Sequence, residues 1–428
     1  MDINNCIVKE KIYILKSELP DPSELKGLAL RFYNGETLTS FEETKTHYTL
    51  GSGFLSNLNV KTLIDERVDI EVEDKLTFKA TLYSQQEDAV SEFFENGELK
   101  HSGILQAKPS WGKTFAATNL LVKSRKKTLI LVHTKLLWNQ WREEIEKQTG
   151  YIPGAIGDGV YDVKDVTVGI YISVRNNIEK LKNEFSLLIV DECHKCLANM
   201  FSEVVNSINS KFKIGLSATP RRKDGRHLLL PDYFGPLRVK ALHWKEQLIP
   251  DVHILQSTFT FSSINPKRDW AKSLTKLYGN TAFLDLIAKI ANKKIANGRC
   301  VLILAPRKEA LTYLETKITR SRILIGATKD EERKEILNKA GKGVDCILTT
   351  TIFNEGISCH RIDTLIRTEP KSNLDDLEQL IGRIQRDHPD KLSQLVIDIW
   401  LKGPMVRNQQ ANRYNWYIIN KYNVFNII

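Results

Sequence analysis

The stretch at residues 103–124, GILQAKPSWGKTFAATNLLVKS, gives the strongest indication of the fold. It opens with a short apolar run, typical of a buried strand, and closes with a helical segment from Phe115 onward. Gly112-Lys113-Thr114 lies between the two, where a strand meets the N-terminus of a helix and backbone N–H groups can surround a phosphate. The pattern predicts a phosphate-binding loop in an α/β domain.

Each part of this loop has a candidate role in binding a nucleoside triphosphate. Lys113 would reach the β- and γ-phosphate oxygens, and the Thr114 hydroxyl would hold Mg²⁺. The first glycine of the general phosphate-loop pattern is replaced by Ala107. The residues predicted to contact the nucleotide here are Ala107, Lys108, Pro109, Ser110, Trp111, Gly112, Lys113 and Thr114.

Length and composition limit the class of protein. A chain of 428 residues exceeds one compact core and suggests two or three domains. A hydrophobic fraction of 42% and a charged fraction of 27% are those of a soluble globular protein. No apolar run approaches the roughly 20 residues that cross a bilayer, and the N-terminus lacks the apolar block of a signal peptide. We therefore expect no membrane association and a cytoplasmic protein.

Charge and cysteine content add two expectations. The net charge of +10 suits a polyanionic partner, because neutralising phosphates releases counterions. The six cysteines are scattered, which argues against a disulfide framework. Cys193 and Cys196 form a CxxC, but no second CxxC or histidine pair completes a zinc site, so we expect no metal there.

Two series of apolar runs alternate with helical segments and predict two doubly wound parallel sheets with a cleft between them. The first series is TLILVH, TVGIYI, SLLIVDE and FKIGLSAT; the second is RCVLILAP, SRILIG, DCILTT, TLIRTE and LVIDIW. Before them, β-like runs at 7–15, 28–33 and 47–50 predict a small accessory domain of β or α+β type. The predicted domains are residues 1–75, 76–252 and 253–428.

Two further motifs follow the phosphate loop in the first series. Asp191-Glu192-Cys193-His194 ends the run SLLIVDECH, at the strand end where α/β folds place catalytic groups. Asp191 would hold Mg²⁺ through its water shell, and Glu192 would polarise the attacking water. The second motif, SATP at 217–220, follows the run FKIGL and could link the nucleotide site to the second domain.

GKT, DECH and SATP, followed in the second series by QLIGRIQR, together resemble a superfamily 2 helicase from about Leu76 to Trp400. The resemblance implies an α/β fold of two tandem RecA-like domains, ATP hydrolysis, and a cycle in which the cleft closes on ATP. It implies that Gln379, Arg383 and Arg386 act on the nucleotide, with Arg386 as the arginine finger. These three are spaced four and three apart, so they share one helix face.

Other segments resemble a subgroup, the phage recombination-repair helicases that remodel branched DNA, and their XPB-like relatives. The segment 349–358, TTTIFNEGIS, matches the fifth helicase motif but ends in Gly-Ile-Ser rather than the commoner Gly-Ile-Asp. Gly356 is thereby implied at the nucleotide. Gln86, in LYSQQEDA, fits the glutamine that reads the adenine edge, since an amide can bond both N6 and N7.

The nucleic acid should be held mostly through its phosphates, by loops at the sheet edges. The candidates are Thr134, Lys135, Ser173, Arg175, Arg221, Arg222, Arg307, Thr349 and Thr350. The basic run at 221–226 is equally well explained as a solvated loop. For the aromatic and basic C-terminal tail, a helix packed on the second domain is favoured over base stacking. The N-terminal region could bind duplex, as in the phage relative, although its own residues do not indicate this.

The resulting interpretation is a monomeric, ATP- and Mg²⁺-dependent helicase or translocase for DNA. Its substrates would be single- and double-stranded DNA with forks or branches, in replication, recombination or repair. A duplex translocase or an RNA helicase using the same ATPase stays open, because these motifs are shared. So does a non-catalytic nucleic-acid-binding module with a degenerate nucleotide site, for which the substitutions at Ala107 and Ser110 are the only support.

Overall fold

A computed structural model describes residues 1–72, 76–197, 199–218, 224–241, 249–261, 266–350, 359–385, 388 and 390–427. The chain divides into two compact units, Met1–Trp244 and Lys245–Ile428. Each unit contains one large, mostly parallel sheet, as the two series of apolar runs predicted. The division into 1–75, 76–252 and 253–428 stays a prediction.

The first unit begins with a small sheet module. Five of its strands form a sheet in the order β5-β6-β2-β1-β7, and β3 pairs with β4 in a separate hairpin. The strand predicted at 28–33 starts only at Leu30, because the residues before it end a helix. The elements of this module are β1 (Asp2–Val8), β2 (Lys11–Leu15), α1 (Ser23–Ala29), β3 (Leu30–Tyr33), β4 (Glu36–Thr39), β5 (Glu42–Glu43), β6 (His47–Gly51) and β7 (Asn59–Asp65).

The rest of the first unit forms the first α/β sheet and its helices. These elements are α2 (Ser84–Ser91), β8 (Phe94–Glu95), β9 (Glu98–Leu99), β10 (Gly103–Gln106), α3 (Lys113–Ser124), β11 (Thr128–Val132), α4 (Lys135–Thr149), β12 (Gly154–Gly157), β13 (Val160–Asp162), β14 (Val166–Ile170), α5 (Tyr171–Asn176), α6 (Ile178–Leu181), β15 (Leu187–Val190), α7 (Asn199–Ser207), β16 (Phe212–Ser217), α8 (Leu230–Phe234) and β17 (Leu237–Lys240). The strand order is β13-β12-β14-β11-β15-β16-β10-β17.

The central strands of this sheet are buried on both faces, which explains their uninterrupted apolar sequences. Every residue of β11, β15 and β16 is buried. One face packs on α2, α3 and α4, and the other on α5, α7 and α8. Burying each Leu or Ile side chain contributes about 1.5–3 kcal/mol to the stability of the fold, so the carboxyl ends of these strands have fixed positions.

The N-terminal module is docked on this α/β layer through buried polar contacts. The carboxylate of Asp232, which has no exposed surface, accepts hydrogen bonds from Arg31 Nη2 at 3.2 Å and Ser40 Oγ at 2.6 Å. The buried Lys213 donates to the carbonyl oxygen of Glu10 at 3.2 Å and to that of Val205 at 2.9 Å. These contacts place the module in the same compact unit as the first α/β sheet.

The second unit contains a seven-stranded sheet in the order β20-β21-β19-β22-β23-β18-β24. Its elements are β18 (Asp251–Thr260), α9 (Pro266–Tyr278), α10 (Thr281–Ala296), β19 (Val301–Leu304), α11 (Lys308–Lys317), β20 (Ser321–Leu324), α12 (Asp330–Asn338), β21 (Cys346–Thr349), β22 (Thr364–Arg367), α13 (Leu374–Ile384), β23 (Leu395–Lys402), α14 (Pro404–Ile419) and β24 (Asn423–Ile427). Together the units confirm two tandem RecA-like α/β domains.

Two strands of the second sheet were not predicted. β18 falls in the stretch taken as a domain boundary, and its residues alternate between buried and exposed rather than forming one apolar run. β24 pairs with β18 at the edge of the sheet, and its residues are mostly exposed. The tail before it forms α14, with Arg413 and Tyr417 buried, as the helical interpretation expected. Among the described residues, none of the helices has the length and apolar character that a membrane span requires.

Candidate nucleotide site

The site is built at one edge of the first sheet by four neighbouring strands. β10, β16, β15 and β11 lie side by side and run parallel. Gln106, the last residue of β10, lies opposite Ser217, the last residue of β16, and Val190, the last residue of β15, lies opposite Gly215 near the end of β16. Carboxyl ends of parallel strands meet at one edge, so the loops bearing GKT, SATP and DECH are neighbours there. Thr219 and Pro220 lie outside the described residues.

The predicted phosphate loop arches between β10 and α3. The backbone N–H of Ala107 donates to the carbonyl of Ser217 at 3.1 Å, which ties the loop to β16. Ser110 and Gly112 have φ angles of 64° and 92°, in the left-handed region. The Nζ of Lys113 donates to the carbonyl of Ala107 at 2.9 Å. This amine, predicted to bind the β- and γ-phosphates, therefore lies across the phosphate loop.

Gln86 connects α2 to this loop. Its Nε2 donates to the carbonyl of Trp111 at 2.8 Å, and its Oε1 accepts from the backbone N–H of Tyr83 at 3.1 Å. Only 2% of Gln86 is exposed. A Cβ on Gly112 would lie 2.6 Å from Gln86 Nε2, so this glycine allows the approach. Reading of adenine by Gln86 stays a prediction.

Asp191 follows β15 and is held by two donors. Its Oδ2 accepts from Trp141 Nε1 at 2.9 Å, and its Oδ1 accepts from the backbone N–H of Glu192 at 3.0 Å. Burial, together with the neighbouring Glu192 carboxylate, raises the pKa of Asp191 to about 6, while the charge of Lys113 opposes the rise. Trp141, on the inner face of α4, was not identified from the sequence; only its periodicity with Trp138 marks that face as buried.

Glu192 forms a short polar chain with the end of β16. Its Oε2 lies 3.3 Å from His194 Nδ1, and the same nitrogen lies 3.0 Å from Ser217 Oγ. The Glu192–His194 approach lacks hydrogen-bond geometry, so Oε2 makes no hydrogen bond within the described residues. Glu192 has a φ of 50°, the turn that separates its carboxylate from that of Asp191.

The predicted magnesium ligands have the right chemistry for that ion. A Thr114 hydroxyl and an Asp191 carboxylate are hard oxygen donors, and Mg²⁺ takes its remaining ligands from water and phosphates. The neighbouring Glu192 carboxylate helps to raise the pKa of Asp191, and a bound cation would stabilise the two negative charges. In the described part of the chain, no cluster of three or more His, Cys, Asp or Glu side chains forms a separate metal site.

In the second unit, α13 carries two of the three predicted nucleotide residues. Gln379 is half-buried, whereas Arg383 is 8% exposed and packs into the unit. Their spacing of four places them on one face of α13. Arg386 and Gly356 lie outside the described residues.

The candidate nucleic-acid residues of the first unit lie at the same sheet edge as the phosphate loop. Thr134 caps α4 by accepting from the N–H of Leu137 at 3.3 Å. Lys135 pairs with Asp158 at 2.7 Å, and Arg175 pairs with Glu203 at 3.0 Å, both near the surface. Ser173 is half-buried in α5. Arg221 and Arg222 lie outside the described residues.

The candidates of the second unit follow β19 and β21, whose ends Leu304 and Thr349 are in register. Arg307 donates from Nη2 to the carbonyl of Ala271 at 2.9 Å and from Nε to Thr275 Oγ1 at 3.1 Å. Thr349 has no exposed surface, whereas Thr350 is half-buried. In this structure Arg307 and Thr349 therefore serve packing within the unit, and phosphate contact by either stays a prediction.

Comparison with known proteins agrees with this architecture. Residues 79–222 match the family described as Type III restriction enzyme, res subunit, and residues 281–388 match the helicase conserved C-terminal domain. The chain is 30% identical over 327 residues to "Probable helicase D10" of Escherichia phage T5, covering 75% of this chain and 72% of that protein.

Two further proteins are similar over most of the chain. The "DNA 3'-5' translocase XPB2" of Sulfurisphaera tokodaii is 28% identical over 393 residues, covering 80% of this chain and 88% of that one. The solved structure of S. cerevisiae Dbp5 bound to RNA and ADP BeF3 shares the fold, with a TM-score of 0.55 at 15% identity over 80% of this chain and 89% of that one. With its ordered motifs on two RecA-like sheets, this chain belongs to the superfamily 2 helicases, as an ATP-hydrolysing enzyme that binds nucleic acid.

Proposed function

We propose that the chain is a monomeric DNA motor that uses ATP to unwind or branch-migrate forked and branched DNA. The main support for an ATP-driven motor is that the loops with Lys113, Thr114, Asp191 and Glu192 lie together at one edge of the first sheet. Support for DNA comes from the relative named a DNA translocase, which aligns with 80% of this chain. The phage relative supports a place in the host cytoplasm.

Roles in hydrolysis follow from the chemistry of each group. Lys113 would leave the carbonyl of Ala107 and bind the β- and γ-phosphates, because phosphate oxygens are the stronger acceptors. Glu192 would orient and polarise the attacking water through the carboxylate oxygen that lacks a hydrogen bond within the described residues. Trp141 and the N–H of Glu192 would keep the Asp191 carboxylate oriented.

Thr114 and Asp191 would hold Mg²⁺, directly or through water. The ion supplies neutralisation of the charge on the β- and γ-phosphates. We assign Gln86 to adenine recognition alongside its contact with the loop. Gln379, Arg383 and Arg386 would stabilise the negative charge that develops on the transferred phosphoryl group.

The nucleic-acid path is proposed along the loops after β11 and β14 in the first unit and after β19 and β21 in the second. In the first unit, Lys135 and Arg175 are near the surface and would exchange Asp158 and Glu203 for phosphates. Exposed ion pairs are worth only about 0–1 kcal/mol, so the exchange costs little. Branch preference rests on the Gly356-Ile357-Ser358 ending, a subgroup resemblance.

The test is steady-state ATP hydrolysis without nucleic acid and with single-stranded DNA, duplex DNA, a forked junction or RNA. We expect the fork to stimulate most, with strand separation of the same fork. Greatest stimulation by RNA would replace the DNA assignment with the RNA-helicase alternative. Stimulation by duplex alone, without separation, would favour a duplex translocase. Lys113→Ala protein is the control for contaminating ATPases.

A further inference from the structure

The helix α14 carries a buried arginine that is bonded on all sides. Arg413 and Asp398 of β23 both have no exposed surface. Arg413 Nε and Nη2 donate to the two carboxylate oxygens of Asp398 at 2.8 and 2.9 Å, and Tyr417 adds a bond to the same carboxylate at 3.1 Å. A bidentate pair of this kind fixes both the position and the plane of the guanidinium.

The third nitrogen of this guanidinium, Nη1, bonds a loop of the second unit. Arg413 Nη1 donates to the carbonyl of Pro370 at 2.8 Å. One turn earlier on α14, the Oε1 of Gln409 accepts from the backbone N–H of Ser372 at 2.8 Å and also from the Ser372 hydroxyl. Helix α14 therefore holds the segment 370–372 at two points.

This segment leads directly into α13, the helix with Gln379 and Arg383. α13 starts at Leu374, so the bonds to Pro370 and Ser372 act within four residues of its first turn. The other end of the loop is also held, because Thr368 Oγ1 donates to the carbonyl of Leu304 at 2.6 Å. An α-helix moves as a rigid rod, so a shift at its start is passed on to Arg383.

Stability alone does not account for this arrangement. A buried ion pair gains little over a packed apolar pair, because the loss of hydration offsets the attraction. What the bonds of Arg413 and Gln409 do supply is one defined position for the loop. Catalytic geometry is sensitive to such position, since a displacement of about 1 Å can reduce a rate by ~100-fold.

We propose that α14 positions α13 for ATP hydrolysis, with Gln409 and Arg413 as positioning residues that touch neither nucleotide nor nucleic acid. The inference rests on the proposed role of Gln379 and Arg383 in hydrolysis. It predicts that loosening the loop lowers the turnover rate without weakening ATP binding, because the phosphate loop belongs to the first unit.

The next residue on α14 provides a matched control. Gln410 is 6% exposed, and its Nε2 donates to the carbonyl of Leu401 in β23 at 3.0 Å, without bonding the 370–372 segment. Gln409→Leu and Gln410→Leu thus remove the same chemical group from adjacent positions. Gln409→Glu keeps an acceptor for both Ser372 donors and should restore activity.

The experiment measures kcat and KM for ATP, with saturating single-stranded DNA, in the full chain and its variants, along with their unfolding temperatures. We expect Gln409→Leu to lower kcat about tenfold with KM within about twofold. Gln410→Leu and Gln409→Glu should keep most of the wild-type kcat. Comparable unfolding temperatures for the two leucine variants would assign the difference to positioning.

Arg383→Ala distinguishes failure of this inference from failure of the proposed function. If Arg383→Ala turns over ATP like wild type, the role of α13 in hydrolysis is wrong and the inference fails with it. If Arg383→Ala is inactive but Gln409→Leu keeps its kcat, only the positioning role is overturned. It is also overturned if both leucine variants lose kcat equally, because loss of stability then explains the effect.

Discussion

Lys195 and His133 join two loops of the first unit: the Nζ of Lys195 lies 2.6 Å from the Nε2 of His133. Lys195 follows DECH at the end of β15, and His133 directly precedes Thr134, which caps α4. The ammonium group can only donate, so Nε2 is the acceptor and carries no proton. The pair connects the candidate nucleotide site to a loop proposed to hold nucleic acid.

Breaking the Lys195–His133 contact should uncouple ATP hydrolysis from DNA binding. Lys195→Met removes the donor but leaves Asp191 and Glu192 unchanged. We expect basal ATP hydrolysis within about twofold of wild type, but a loss of most of its stimulation by DNA, as a coupling of 1–3 kcal/mol corresponds to about 5–150-fold. The measurement is turnover with and without single-stranded DNA. Lys182→Met, which removes a surface lysine paired with Glu179, is the control. Full stimulation in Lys195→Met would refute the coupling.

The same pair predicts a pH dependence of stability. Burial and the positive charge of Lys195 lower the pKa of His133 to about 3, against about 6.5 in an unfolded chain. Between these values the unfolded state binds more protons, so the free energy of unfolding falls as the pH falls from about 6.5 toward 3, by up to about 1.4 kcal/mol per pH unit.

His133→Gln removes this titration while keeping an acceptor for Lys195. Urea unfolding at pH 7, 6 and 5 should show a smaller loss of stability for His133→Gln than for wild type. If both proteins lose the same amount of unfolding free energy as the pH falls, the pKa of His133 in the folded state is not lowered, and the prediction is wrong.

Lys113 and Glu192 should be essential for turnover but not for binding DNA. We expect Lys113→Ala and Glu192→Gln each to lower kcat by at least ~100-fold, because each removes a group that stabilises or prepares the transition state. DNA affinity, measured by fluorescence anisotropy without nucleotide, should change less than about threefold, since neither residue is among the proposed contacts to the DNA backbone. Normal turnover in either variant would remove that residue from the site.

Gly112 should be required both because it has no side chain to clash with Gln86 and because of its left-handed backbone conformation. Gly112→Ala places a Cβ 2.6 Å from Gln86 Nε2 at a φ of +92°, whereas Gly97→Ala at +82° meets nothing within 4 Å. Both should lose about 1–2 kcal/mol of stability from the left-handed backbone. Only Gly112→Ala should also raise KM for ATP, because it displaces Gln86 and the loop. Equal KM values in the two variants would contradict this role of the Gln86 contact.

Arg386 is the proposed arginine finger, and its loss should separate ATP binding from hydrolysis. Arg386→Ala should bind a fluorescent ATP analogue with near wild-type affinity while kcat falls by ~10³–10⁵, the usual worth of such a residue. Lys391→Ala, a nearby change of the same charge, provides the comparison. Turnover at the wild-type rate would mean that Arg386 does not act on the transition state.

Elements with a local sequence signal could be predicted from the amino-acid sequence. The phosphate loop lies between one strand and one helix, and both series of apolar runs became strands, most of them buried, of two mostly parallel sheets. Burial on both faces requires an apolar run, so these strands were recognisable. The strand β18 was missed because its residues alternate in burial, and β24 because an exposed edge strand needs few apolar residues.

Contacts between side chains that are distant along the chain could not be predicted from local sequence and are seen in the folded protein. Trp141 reaches Asp191 across 50 positions, Lys195 reaches His133 across 62, and Gln409 reaches Ser372 across 37. Each contact depends on the order of strands in a sheet, since neighbouring strand ends share one edge regardless of their separation along the chain. A local pattern determines where a strand or a loop occurs, but the neighbours of that strand are set by packing of the whole sheet.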